Sequence, residues 1–165
     1  MKTKSKSLQL QIRVSPQEKA AIARYAKRAG MGISQWVLSQ SLPPGQEIFQ
    51  GLLGELTRAS NPKYVLAEIH DRLNGAGADE FERMVAQPPG PGLSDYLANY
   101  ITAMIEYTAV QKGRAAPSWT AKVPPLKTPV FGSDLQSLRL YLLTHSPPPF
   151  RRRNIFIDAT IGQRV

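Results

Sequence analysis

Apolar positions along the chain first alternate with polar ones and then take up helical spacing. Leu8, Leu10, Ile12 and Val14 alternate with Gln9, Gln11 and Arg13, a period of two that gives a strand one apolar and one polar face. Ser15-Pro16-Gln17-Glu18 comes next. Ser15 is placed to cap a helix, Pro16 suits its first position and Glu18 completes a reciprocal capping box. Ile22, Tyr25, Ala26 and Ala29 predict the buried stripe of that helix, and Gly30 its left-handed stop. A second helix is expected from a cap at Ser34 through Trp36, Val37 and Leu38, ending at Pro43.

Beyond Pro43-Pro44 the spacing stays helical. Four helices are predicted, by Ile48, Leu52, Leu56 and Ala59; by Val65, Leu66, Ile69 and Leu73; by Phe81, Met84 and Val85; and by Leu97, Tyr100, Ile101, Met104, Ile105 and Thr108. Ser94 caps the last of these, which closes near Gly113. Seven of the fourteen prolines lie between Pro117 and Pro149, so a single helix is expected there, Asp134 to Thr144, with Ser133 as its cap and Pro147 as its stop. Pro147-Pro148-Pro149 predicts an extended entry to the arginine-rich end, and Ile155 and Ile157 alternate as in a short strand. The expected fold is mainly α in two parts, residues 1–44 and a helical, proline-rich region over 45–165.

The strand at residues 8–14 needs a partner, because a lone strand leaves its backbone groups unpaired. No second alternating run lies nearby to make a hairpin. The simplest partner is the same strand of a second copy, giving an antiparallel two-stranded ribbon across a two-fold axis. Strand, helix, glycine-containing turn and helix within residues 8–42 resemble the ribbon-helix-helix superfamily of Arc, MetJ and CopG-like regulators. The resemblance implies a homodimer whose ribbon enters the major groove of double-stranded operator DNA. Carried over residue by residue, it makes Gln9, Gln11 and Arg13 the base readers. Their chemistry agrees, since a glutamine amide suits adenine N6 and N7 and a guanidinium suits guanine O6 and N7. The resemblance also implies phosphate anchoring at the start of the second helix. There Gly32 lets the backbone approach, while Ile33 and Ser34 offer N–H groups and the helix dipole. Lys2, Lys4 and Lys6 would add phosphate contacts that raise affinity without reading sequence. Duller alternatives stay open: a solvated edge-strand face for Gln9, Gln11 and Arg13, a plain cap for Ser34, and a solubilising tail for the lysines.

Charge strengthens the expectation of an anionic partner. The 21 Lys+Arg outnumber 12 Asp+Glu by nine. Residues 1–28 carry a net +7, residues 29–111 a net −5 and residues 112–165 a net +7, two basic ends around an acidic middle. The acidic block could instead neutralise its neighbours within one fold. The absence of cysteine excludes disulfides, thiol catalysis and Cys-ligated zinc, and fits a reducing cytoplasm, the expected location. Apolar runs reach four residues, as at Tyr64-Val65-Leu66-Ala67, where a membrane span needs about twenty.

Catalytic patterns fail one by one. Gly75-Ala76-Gly77 is followed by Glu80 where a dinucleotide fingerprint needs glycine. Gly32-Ile33-Ser34-Gln35-Trp36 lacks the last glycine of a nucleophile elbow. Glu68, His70 and Asp71 diverge around one helix, which makes a poor metal site and suggests a surface position for His70. No catalytic residue, metal or cofactor is expected, and the chain is read as a non-enzyme.

The most unusual stretch is Pro147 to Ala159, with Phe150 and three consecutive arginines inside it. Together with Trp119 it resembles the C-terminal region of small bacterial proteins encoded beside nucleotidyltransferase-like toxins, over residues 93–165. That resemblance implies an antitoxin, a DNA-binding dimer that represses its own operon and neutralises a toxin through its C-terminal region. Phe150, Arg151, Arg152 and Arg153 would contact the toxin, the arginines meeting phosphates or carboxylates. Internal neutralisation of the acidic block is the competing role for the arginines. A DNA-binding transcriptional or plasmid regulator without a toxin is the competing function.

Overall fold

The computed structural model describes residues 11–41 and 45–158, and the chain divides into two compact units, Met1–Pro43 and Pro44–Val165. The fold is mainly helical, with two strands of two residues each among the described residues.

In the first unit, helix α1 spans Pro16–Arg28 and helix α2 spans Ile33–Ser41. The capping box forms as its residue types dictate. Ser15 N–H donates to Glu18 Oε2 at 2.8 Å and Glu18 N–H to Ser15 Oγ at 3.3 Å. These bonds hold the Glu18 carboxyl below its ordinary pKa of 4.5. Gly30 ends α1 at φ +66°, a left-handed conformation that glycine adopts without strain. The predicted stripe is only partly covered in a single chain. Ala26 is buried and Ile22 half-buried, whereas Ala29 and Tyr25 are exposed. Tyr25 instead stacks on Trp36 of α2, with ring centroids 5.7 Å apart. The cap of α2 also differs from expectation. Trp36 N–H donates to the Gly32 carbonyl at 2.9 Å, so the helix begins at Ile33, and Ser34 lies inside its first turn.

The second unit is built around α6 (Asp95–Gln111), capped by Ser94 and closed by Gly113 at φ +63°. Its residues Ile101, Ala103, Ile105 and Ala109 are inaccessible to solvent. Helices α3 (Gly45–Leu56), α4 (Pro62–Gly75) and α5 (Ala78–Met84) contribute Phe49, Leu53, Ile69, Leu73 and Phe81 to the same core. After a 3-10 turn at Ser118–Lys122, strand β1 (Val130–Phe131) leads to α7 (Gln136–His145), α8 (Pro148–Arg151) and strand β2 (Ile155–Phe156).

β1 and β2 pair in parallel, Val130 opposite Ile155. Leu135 is the N-cap of α7, and Ser133 Oγ accepts the Leu135 N–H at 3.2 Å. The proline triplet does not stay extended. Pro147 is extended, but Pro148 opens a single helical turn, because a proline at the first position loses no helix bond. His70 is half-buried, not a free surface residue, and its ring meets Asn74 Nδ2 at 3.0 Å. No helix among the described residues is long and apolar enough to cross a membrane.

Candidate nucleic-acid interface

The expected base readers fall at the very start of the described chain. Gln9 lies outside the described residues, as do Lys2, Lys4 and Lys6. Gln11 and Arg13 are described and exposed, alternating with Ile12 and Val14. The apolar pair is exposed as well, Ile12 to 58%. Both faces of this segment are therefore wet in a single chain, and the apolar one is the face that a partner would have to cover. Helix α2 points the same way, since none of its residues is buried and Trp36, Val37 and Leu38 are only half-covered. Met31 and Ile33, beside the turn, are exposed too.

The turn between the helices carries the three residues expected to anchor phosphate. Met31 N–H donates to the Ala26 carbonyl at 3.0 Å, which fixes the chain's reversal after Gly30. The backbone then enters α2 at Ile33. N–H groups in the first turn of a helix have no acceptor four residues back, and the helix dipole favours negative charge there. Gly32, Ile33 and Ser34 are all exposed at this point, and a Cβ added at Gly32 would meet nothing within 4 Å. Arg13, Lys19, Arg24, Lys27 and Arg28 are exposed on the same unit, while its one described acid, Glu18, is occupied by the capping box. The unit thus offers a positive surface with polar side chains at one edge. Such a surface can neutralise phosphates and place amide and guanidinium groups against base edges.

The C-terminal arginines separate. Arg153 is buried, with its guanidinium Nη2 2.5 Å from Glu106 Oε1 and 2.9 Å from the Thr120 carbonyl. Its Nη1 donates to Asn99 Oδ1 at 3.3 Å and to the Val123 carbonyl at 3.1 Å. Phe150 is buried edge-on against Tyr100, with centroids 5.4 Å apart. Of the four residues expected to meet a toxin, Arg153 and Phe150 are therefore core components. Arg153 neutralises a member of the acidic block inside the fold. Arg151 and Arg152 stay at the surface and line, with Pro148, a shallow depression of about 400 Å³. Three consecutive arginines carry no local mark of which one turns inward, so residue type and spacing alone do not reveal this division. Among the described residues no group of three or more His, Asp or Glu is placed to hold a metal.

The NikA-like family, described as mobilization protein NikA, matches residues 4–44. The matched segment contains both helices of the first unit, the turn between them and the polar–apolar alternation before them. Comparison with curated proteins and with solved structures returns no match.

Proposed function

We propose that this chain is a DNA-binding protein of plasmid mobilization, acting as a homodimer through residues 8–42. The observation that carries the reading is the coincidence of the NikA-like match over residues 4–44 with the capped helix pair and the exposed alternation at Gln11–Val14. In this reading the alternating segments of two copies pair into a ribbon that covers Ile12 and Val14. Gln9, Gln11 and Arg13 then face the major groove. Phosphates on either side meet the N–H groups of Ile33 and Ser34, and Lys2, Lys4 and Lys6 add charge along the backbone. The role assigned is binding and positioning, without catalysis.

Of the two functions expected from the sequence, the match favours the plasmid regulator over the antitoxin. The family it names is a mobilization protein, and half of the proposed toxin surface lies in the core as Phe150 and Arg153. One experiment separates the two. Deleting the reading frame from its plasmid should lower transfer frequency without impairing growth of the host. The wild-type chain should restore transfer, and a Gln9→Ala/Gln11→Ala/Arg13→Ala variant should not. Loss of host viability on deletion, with transfer unchanged in survivors, would return the antitoxin to first place.

A further inference from the structure

The nine basic residues after Gln111 divide by what they touch, and eight of them are described. Lys112 Nζ donates to the carbonyls of Asn74 and Ala76 at 3.1 and 2.6 Å. Arg114 pairs with Asp79 at 2.8 Å and Glu82 at 3.4 Å, and Arg153 with Glu106. These three cations are consumed by α4, α5 and α6. The other five, Lys122, Lys127, Arg139, Arg151 and Arg152, are all exposed. None of them is held by a carboxylate among the described residues. Arg139 rests over the Phe131 ring, 5.2 Å from its centroid.

Topology gathers three of the five. Because β1 and β2 run parallel, the residues that precede each strand lie at the same end of the ladder. Lys127 precedes β1, and Arg151 and Arg152 precede β2. Two bonds tie the approaches together: Leu126 N–H to the Arg153 carbonyl at 3.4 Å, and Asn154 Nδ2 to the Leu126 carbonyl at 2.6 Å. Asn154 stands at φ +58°, a left-handed conformation that asparagine tolerates better than most residues, so the turn carrying the arginines is sharp and fixed. Arg152 Nε reaches back to the Pro148 carbonyl at 3.5 Å.

We infer that Lys127, Arg151 and Arg152 form a second phosphate-contacting surface, through which the C-terminal unit grips the backbone of the duplex DNA that the N-terminal unit reads. The inference rests on the DNA-binding function proposed above. Guanidinium groups match phosphate oxygens bidentately, and a lysine adds a point charge. Among the described residues the depression is lined by Pro148, Arg151 and Arg152, and contacts of these cations with phosphate add affinity without reading sequence. Pro148 is the one apolar residue in that lining, and no carboxylate among the described residues holds Lys127, Arg151 or Arg152, which favours a polyanion over a protein partner.

The test compares the full-length wild type with a Lys127→Ala/Arg151→Ala/Arg152→Ala variant on a mixed-sequence DNA duplex across a salt series. Each phosphate contact contributes roughly 0.9 to the slope of log affinity against log salt. The variant's slope should therefore flatten by about 3 for one copy and about 5 for two. Its melting temperature should stay at the wild-type value, because all three side chains are exposed. Exchanging both arginines for lysine should keep the wild-type slope, since the charge count is unchanged. A wild-type slope in the alanine variant overturns the inference and leaves the N-terminal reading standing. Absence of duplex binding by the wild type overturns both. If the variant keeps its DNA slope but loses binding to polyglutamate, the surface serves an acidic protein and the inference is likewise overturned.

Discussion

Arg153→Ala removes a guanidinium that four acceptors share: Glu106 Oε1, Asn99 Oδ1 and the carbonyls of Thr120 and Val123. The Arg153 and Glu106 side chains are 7% and 17% exposed, so the pair belongs with buried ion pairs and not with solvated ones. Truncating one member of a buried pair costs about 3–5 kcal/mol, because the remaining charge stays desolvated and unpaired. Glu106 keeps some access to water, which places the expected loss near the lower end, about 3 kcal/mol. For a unit of this size that corresponds to a fall in melting temperature of roughly 10–15 °C. Trp119 is a built-in reporter, since it is buried in the same unit and its Nε1–H donates to the Val85 carbonyl at 3.0 Å. A Trp36→Phe background silences the other tryptophan. Arg151→Ala and Arg152→Ala serve as controls and should change stability by no more than about 0.5 kcal/mol, as surface substitutions do. Combining Arg153→Met with Glu106→Leu should recover part of the loss, because no charge is then left buried alone. A loss below about 1 kcal/mol for Arg153→Ala would refute the reasoning, since exposed pairs are worth that little.

Four further outcomes are expected. Ile12→Asp should convert the dimer to monomer in sedimentation, whereas Gln11→Ala and Arg13→Ala should leave it intact and each cost about 1–3 kcal/mol of specific binding in titrations against the cognate site. Ser15→Ala should lower the stability of the N-terminal unit by about 1 kcal/mol in thermal melts. The folded-state pKa of Glu18 is depressed below 4.5, so its contribution is complete above that pH and is lost as pH falls through the lowered value; Glu18→Gln should abolish that acid-side loss. Burial raises Tyr100 from 10 to about 12, with Tyr96 adding to the shift. The stability it confers is present below pH 10 and disappears as pH rises toward about 12, and phenolate absorbance should show a late-ionising tyrosine that Tyr100→Phe lacks.

What the sequence made legible was local. The Ser15–Glu18 box, the Gly30 stop, the Ser94 cap and the Gly113 closure each depend on residues within a few positions, so residue type and spacing carry the information. The proline triplet and Ser34 show where local reasoning is ambiguous. Proline suits both an extended segment and the first turn of a helix, and the glycine before Ile33 took the capping position that the serine also fits. Long-range pairs were not legible. Nothing around Val130 announces a strand, because its partner Ile155 is twenty-five residues away and each strand has two residues. Arg153 meets Glu106 across 47 positions, and no periodicity encodes a pairing at that distance. At the candidate interface, Gln11 and Arg13 were legible as polar members of an alternation. The surplus of free cations around β1 and β2 emerged only once their buried counterparts could be subtracted.

The Arg153 hub also sets a clock. The N-terminal unit closes on contacts within Met1–Pro43, whereas the second unit acquires its ion pair with α6 and its strand β2 only when residues 153–156 have been made. At roughly 5–20 residues per second, the ribosome needs on the order of 5–20 s to travel from Pro43 to Arg153. During that interval Glu106 waits without its cation, and the core around α6 is unsealed at the end where Phe150 and Ile155 will sit. Nascent chains on one messenger are then close together, with finished N-terminal units and unfinished C-terminal ones. For the proposed homodimer, the order of synthesis therefore favours pairing of neighbouring copies through residues 8–42 before either second unit is complete.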